Sequence, residues 1–124
     1  QNIMSDGMEI LQSISRIILQ ANTDWYSLRQ FCWNNGFRIE EEEMILERGQ
    51  IFLNLVLGHG EQCGDSLDAL GGILLRHRPC SVLDLWLNKR RQTLVKIQKS
   101  NPNRCIVEVN EELLLLKELI SQRS

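Results

Sequence analysis

Two side-chain amides, Gln20 and Asn22, directly follow the apolar run Ile17, Ile18 and Leu19. A short continuous apolar run reads as a buried parallel strand, so both amides fall at its carboxy-terminal end. Open α/β sheets receive ligands at that edge, where an amide can hold the polar rim of a planar molecule. Asn22 with Thr23 and Asp24 also supplies N-cap chemistry for a following helix, and Gln20 can equally satisfy backbone groups. Trp25 and Tyr26 come next and could stack on a flat ring, although Trp25 reads first as a core residue. A second chemical signal lies downstream. Residues 76–104 carry eight basic side chains, Arg76, Arg78, Lys89, Arg90, Arg91, Lys96, Lys99 and Arg104, against one acid, Asp84. Such a stretch can track a phosphate backbone, or simply solvate a helix.

Other chemistries are poorly supplied. Cys32, Cys63, Cys80 and Cys105 are widely spaced, and only His59 and His77 complement them, so no metal ligand is assigned. The cysteines read as reduced, small hydrophobes of a cytoplasmic protein. The run Glu40, Glu41, Glu42 and Glu43 reads as a solvated strand edge rather than as a carboxylate pair for acid–base work. Neither G-x-G-x-x-G nor G-x-x-x-x-G-K occurs, and no cofactor-binding residue is assigned. With 124 residues, 43% hydrophobic and 24% charged, the chain has the composition of a soluble globular protein, and its net charge of −2 excludes a uniformly basic coat. No apolar run approaches the length of a membrane span, so no membrane partner is expected. A first residue of Gln rather than Met reads as a processed or truncated product.

The elements that would position these residues follow from pattern. A short helix is expected from Met8 to Ser15, then the strand, then a helix from about Asp24 to Asn34 that Asn35 and Gly36 terminate. Two extended segments flank Glu47, Arg48 and Gly49, a hairpin whose first, glutamate-rich member is an edge strand. Residues 61–65 read as an irregular loop, and residues 66–75 as a helical turn followed by a close-packed segment around Gly71 and Gly72. Leu83, Leu87, Arg90, Leu94 and Ile97, and again Ile106, Val109, Leu113, Leu116 and Ile120, step by three and four. With Ser100, Asn101, Pro102 and Asn103 breaking the chain between them, these are the seams of an antiparallel helical coiled-coil hairpin.

In this order the chain resembles the bacterial tRNA (adenine-22) N1-methyltransferase family, a group of class I S-adenosylmethionine-dependent methyltransferases. The matching motifs are Ile18-Leu19-Gln20-Ala21-Asn22, Leu28-Arg29, Asn35-Gly36-Phe37, Glu42-Glu43, Gly49-Gln50-Ile51-Phe52, Gly71-Gly72-Ile73-Leu74-Leu75 and the hairpin seams. Ala21 stands where the family has proline, and Gly71-Gly72 replaces a Phe-Gly-Pro run. The resemblance implies an α/β fold: the carboxy-terminal part of a Rossmann-like methyltransferase sheet over residues 1–60, then a helical hairpin over residues 61–124. It also implies S-adenosylmethionine as cofactor, held by a loop upstream of these residues, and tRNA as partner, with a missing amino-terminal half or a second copy as further partners. Gln20 and Asn22 would hold the adenine in methyl transfer, and the eight basic side chains would contact RNA. The alternative is a non-catalytic helical-hairpin interaction or RNA-binding module.

Overall fold

Alternating burial along the extended segments makes a sheet. A computed structural model describes residues 8–12, 17–100 and 107–124. Strand β1 spans Met8–Gln12, β2 Ile17–Ala21, β3 Phe37–Glu47 and β4 Gln50–His59, joined in the order β1-β2-β4-β3. Every ladder is antiparallel. The expected parallel strand thus has only antiparallel neighbours among the described residues; β2 and β3 run in the same direction with β4 reversed between them. The helix expected from Met8 is instead β1, paired Met8 to Ala21 through Gln12 to Ile17. Main-chain pairing with a neighbour overrides the weak local helix preference of Met, Glu, Leu and Gln there. Residues 13–16 lie outside the described residues.

The hairpin turns on Arg48 (φ 53°) and Gly49 (φ 79°), the left-handed pair that a two-residue connection requires. β3 is the edge strand, as its glutamates suggest. It carries a bulge at Glu40, because Ile39 faces Leu57 while Glu41 already faces Val56. Beyond it Glu42 and Met44 point inward beside Leu55 and Leu53. Helix α1, Trp25–Asn34, covers that face with Trp25, Leu28, Arg29 and Cys32, the i, i+3, i+4 and i+7 positions of one helical stripe.

Residues 61–65 form the expected loop, but a side chain orders it. Gln62 Oε1 accepts from Trp33 Nε1 at 2.8 Å and from Ile39 N at 2.7 Å, and its Nε2 donates to Ile39 O at 3.3 Å. The amide therefore supplies a ladder-like pair beside the bulge. Helix α2, Ser66–Gly71, starts on a reciprocal Asp65–Asp68 capping box. A 3-10 turn, Leu75–His77, leads to α3, Ser81–Ser100, and α4, Val107–Gln122. Contacts of Asp84 with Arg123, Arg90 with Glu112 and Gln98 with Asn110 make α3 and α4 antiparallel. Between them Leu83, Leu87, Leu94, Leu116 and Leu119 are buried; each contributes roughly 1.5–3 kcal/mol relative to exposure. Of the expected seam, Arg90 carries an ion pair and Ile97 is 37% exposed, while residues 101–106 fall outside the described residues. One apolar cluster runs from Leu19 in the sheet to Leu119 in α4.

Candidate functional site

The elbow after β2 is built by its neighbours. Trp25 Nε1 donates to Ala21 O at 3.0 Å, so the ring of the first helical residue pins the last residue of the strand. Asp24, in the left-handed region at φ 53°, accepts from Ser27 N at 3.4 Å and is the N-cap of α1. The cap is therefore Asp24, which leaves Asn22 exposed on the elbow. Gln20 lies on the sheet face opposite α1. Its Nε2 donates to Asn54 Oδ1 at 3.0 Å, and Asn54 Nδ2 donates to Glu43 Oε1 at 3.4 Å. Together these make a polar ladder across β2, β4 and β3. Gln20 and Asn22 belong to one strand end, but no hydrogen bond joins them among the described residues.

Beside the elbow lies a cavity of about 390 Å³ walled by Tyr26, Trp86 and Leu115, with Asp24, Arg90 and Glu112 among its polar lining. Trp25 is core. It is 3% exposed and packs against Trp86, ring centroids 4.8 Å apart and planes tilted by 52°, which leaves its ring little face for ligand stacking. Tyr26 keeps one edge on the cavity while its hydroxyl meets Ser66 Oγ at 3.3 Å. Arg90 grips Glu112 through two bonds, 2.7 and 2.9 Å, and that hydrogen bonding raises its pKa against the opposing effect of burial.

The eight basic side chains separate into classes. Arg76 meets Asp68 at 3.2 Å and Asp65 at 3.4 Å, Arg78 meets Glu41 at 2.6 Å, and Arg90 meets Glu112. The hydrogen bond from Arg78 holds the Glu41 carboxyl below its ordinary range. Lys89, Arg91, Lys96 and Lys99 are exposed and carry no ion pair among the described residues. Lys89, Lys96 and Lys99, spaced i, i+7 and i+10, share the face of α3 opposite the buried leucines. Arg104 lies outside the described residues.

Sequence reasoning missed the most heavily buried charges. Arg29 and Glu42 are both buried, Arg29 Nε bonding Glu42 Oε2 at 2.7 Å. Arg29 Nη1 also donates to Ala69 O at 2.9 Å and Leu70 O at 3.2 Å, while Glu42 Oε1 accepts from Leu74 N at 2.8 Å and Leu75 N at 3.0 Å. Burial lowers the Arg29 pKa, and the charge and hydrogen bond of Glu42 work against that shift. So the glutamate run is not wholly a solvated edge. The available signal was Arg29 itself, which falls on the same helical stripe as Trp25, Leu28 and Cys32 and so demands a buried anion. Cys32 is fully buried, and desolvation pushes its thiol up to about 12, with Arg29 opposing; it is no nucleophile near neutral pH. Among the described residues, no three His, Cys, Asp or Glu side chains converge to hold a metal, and no helix is long and apolar enough to cross a membrane.

The family model TrmK, tRNA (adenine(22)-N(1))-methyltransferase, matches residues 1–122. The chain belongs to that family. As a TrmK-family chain it also shares its fold with solved structures. Sp1610 of Streptococcus pneumoniae superposes with a TM-score of 0.79 at 24% identity, covering 86% of this chain and 50% of that one. The B. subtilis m1A22 tRNA methyltransferase TrmK gives 0.74 at 21% identity, covering 85% and 51%. M. capricolum TrmK, in complex with S-adenosyl-homocysteine, gives 0.76 at 19%, covering 89% and 50%. The chain thus spans about half the length of the structures it matches. At these identities the likeness establishes the fold, and a related structure from Streptococcus agalactiae is described as a member of the NADB-Rossmann superfamily. No curated protein matches the chain.

Proposed function

We propose that the chain is the carboxy-terminal portion of an S-adenosylmethionine-dependent tRNA adenine N1-methyltransferase, with residues 1–60 completing the methyltransferase sheet and residues 61–124 presenting the helical hairpin to tRNA. The family match over residues 1–122 carries this reading. Structures of S. pneumoniae Sp1610 with S-adenosyl-L-methionine and of M. capricolum TrmK with S-adenosyl-homocysteine support the cofactor. The described residues do not form its binding loop: Gly36 ends α1, Gly49 turns the hairpin, and Gly72 is pressed against Glu42. The contribution of this chain is to bind and orient. Asn22, exposed at the strand end, and Gln20 beside it would hold the polar edge of the adenine, because attack by a neutral ring nitrogen depends on positioning more than on a strong base. Lys89, Arg91, Lys96 and Lys99 would meet phosphates, together with Arg104, whereas Arg76, Arg78 and Arg90 would act through the shape that their ion pairs maintain. A cytoplasmic location accords with a tRNA substrate.

The test is to give the natural protein that contains this chain an unmodified tRNA transcript and labelled S-adenosylmethionine, then digest the RNA and identify the labelled nucleoside by mass spectrometry. Label in 1-methyladenosine is expected. A folded, cofactor-bound protein that binds tRNA without transferring label would instead favour the interaction-module reading, which the 69% exposure of Leu114 on the outer face of α4 supports.

A further inference from the structure

The connector between the sheet and the hairpin is gripped from both ends. From the sheet side, Glu42 takes the Leu74 and Leu75 amides, and Arg29 takes the Ala69 and Leu70 carbonyls. From the hairpin side, Arg123, just beyond α4, donates through Nη1 to Leu75 O at 3.1 Å and Arg76 O at 3.0 Å, and through Nη2 to Cys80 O at 3.2 Å. Its Nε meets Asp84 Oδ1 at 2.5 Å, in the first turn of α3. A carboxylate thus holds the N–H side of one short turn and a guanidinium holds its C=O side, each anchored in a different layer. The close approach needs Gly72. A Cβ there would lie 2.7 Å from Glu42 Oε1 and 3.0 Å from Arg29 Nη2, at φ 102°. Arg123 is the member with the planar fork needed to reach three carbonyls and a carboxylate at once, which a lysine ammonium lacks.

We infer that Arg29, Glu42 and Arg123 are positioning residues that fix the pose of the α3–α4 hairpin over the elbow, so that bound tRNA presents its adenine to the strand end. The inference rests on the methyltransferase reading above. None of the three touches substrate; they act through the connector. Glu42 and Arg29 are too deeply buried for a clean test of function, whereas Arg123 sits at the rim of the grip beside a half-exposed Asp84.

The experiment compares the natural protein with its Arg123→Ala and Arg123→Lys variants. Three readouts are taken: amide exchange of Leu74 and Leu75, the circular-dichroism signal of the tilted Trp25–Trp86 pair assigned with Trp86→Phe, and steady-state tRNA methylation. Both Arg123 variants should keep cofactor affinity and a cooperative unfolding transition while connector exchange rises about tenfold and the paired-indole signal weakens. The KM for tRNA should rise about tenfold with kcat at saturating tRNA changed less than about twofold, the pattern of lost positioning rather than lost chemistry. Unchanged exchange and indole signal would overturn the grip. Loosened exchange with an unaltered KM would reduce it to a structural tie, and full function in Arg123→Lys would show that charge alone suffices. A parent protein that never methylates tRNA would sink the methyltransferase reading instead, and the exchange data would then report on the grip alone.

Discussion

Along residues 69–80 each arginine is engaged by the protein itself, whereas on the outer face of α3 the lysines meet only solvent among the described residues. Arg76 and Arg78 are tied to Asp65, Asp68 and Glu41, and the same segment is held by Arg29 and Arg123 from outside it. Lys89, Lys96 and Lys99 form an open stripe that begins eleven residues after Arg78. Both regions are basic, yet only the second keeps its charges without an ion pair among the described residues. Guanidinium groups are planar and weakly hydrated and so suit interior acceptors; ammonium groups are compact and strongly hydrated and suit a phosphate surface.

The largest effect is expected at Glu42. Glu42→Gln leaves the Arg29 guanidinium buried without its counter-charge and should cost about 3–5 kcal/mol in denaturant unfolding. Its chain neighbour Glu41 pairs with Arg78 in the open, and Glu41→Gln should leave the unfolding midpoint nearly where it is. Similar losses for the two variants would mean that burial does not separate these charges.

The lysine stripe should govern binding rather than folding. Changing Lys89, Lys96 and Lys99 together to Glu should weaken tRNA binding by more than about tenfold, at least about 1.4 kcal/mol, and should flatten the dependence of affinity on salt. Stability should stay within about 0.5 kcal/mol of the parent, as for surface changes in general. A triple variant that binds tRNA with the parental salt slope would remove the stripe from the interface.

The smallest effect concerns Cys32, packed beside the buried pair. Its thiol pKa is raised in the folded state from 9.0 to about 12, so the folded protein keeps this proton longer than the unfolded chain. Stability from this group is complete below pH 9.0 and falls as the pH climbs toward about 12. Cys32→Ala should lack that alkaline component, and in the parent at neutral pH the exposed Cys63 should react with a thiol reagent while Cys32 does not. Rapid labelling of Cys32 would show that its pocket opens.

Local chemistry made much of this legible. The limits of α1 follow from Asp24 and Gly36, the β3–β4 turn from Arg48 and Gly49, and the helix pair from its three-and-four leucine spacing, because each depends on neighbours in sequence. The identity of β1 did not, since Met8 to Gln12 has no strand signature and takes its form from pairing with β2. For the candidate site, the elbow was placed by Leu19, Ala21 and Asp24. The tie of Gln20 to Asn54, thirty-four residues away, and the separation of the paired Arg76, Arg78 and Arg90 from the unpaired Lys89, Arg91, Lys96 and Lys99 are long-range facts with no local trace. Glu42 was the hardest of all: within four identical residues, nothing local marks one as interior.

The bulge at Glu40 explains how one run serves several ends. It acts as a phase shift in a two-beat pattern: without it, strict alternation from Ile39 would send Glu41 and Glu43 inward and turn Met44 out. With it, Glu41 reaches Arg78, Glu42 reaches Arg29, and Glu43 reaches Asn54. What matters in this stretch is therefore its count rather than its letters. Losing a single codon here would re-address every downstream side chain of the strand, a harsher lesion than most single replacements within it.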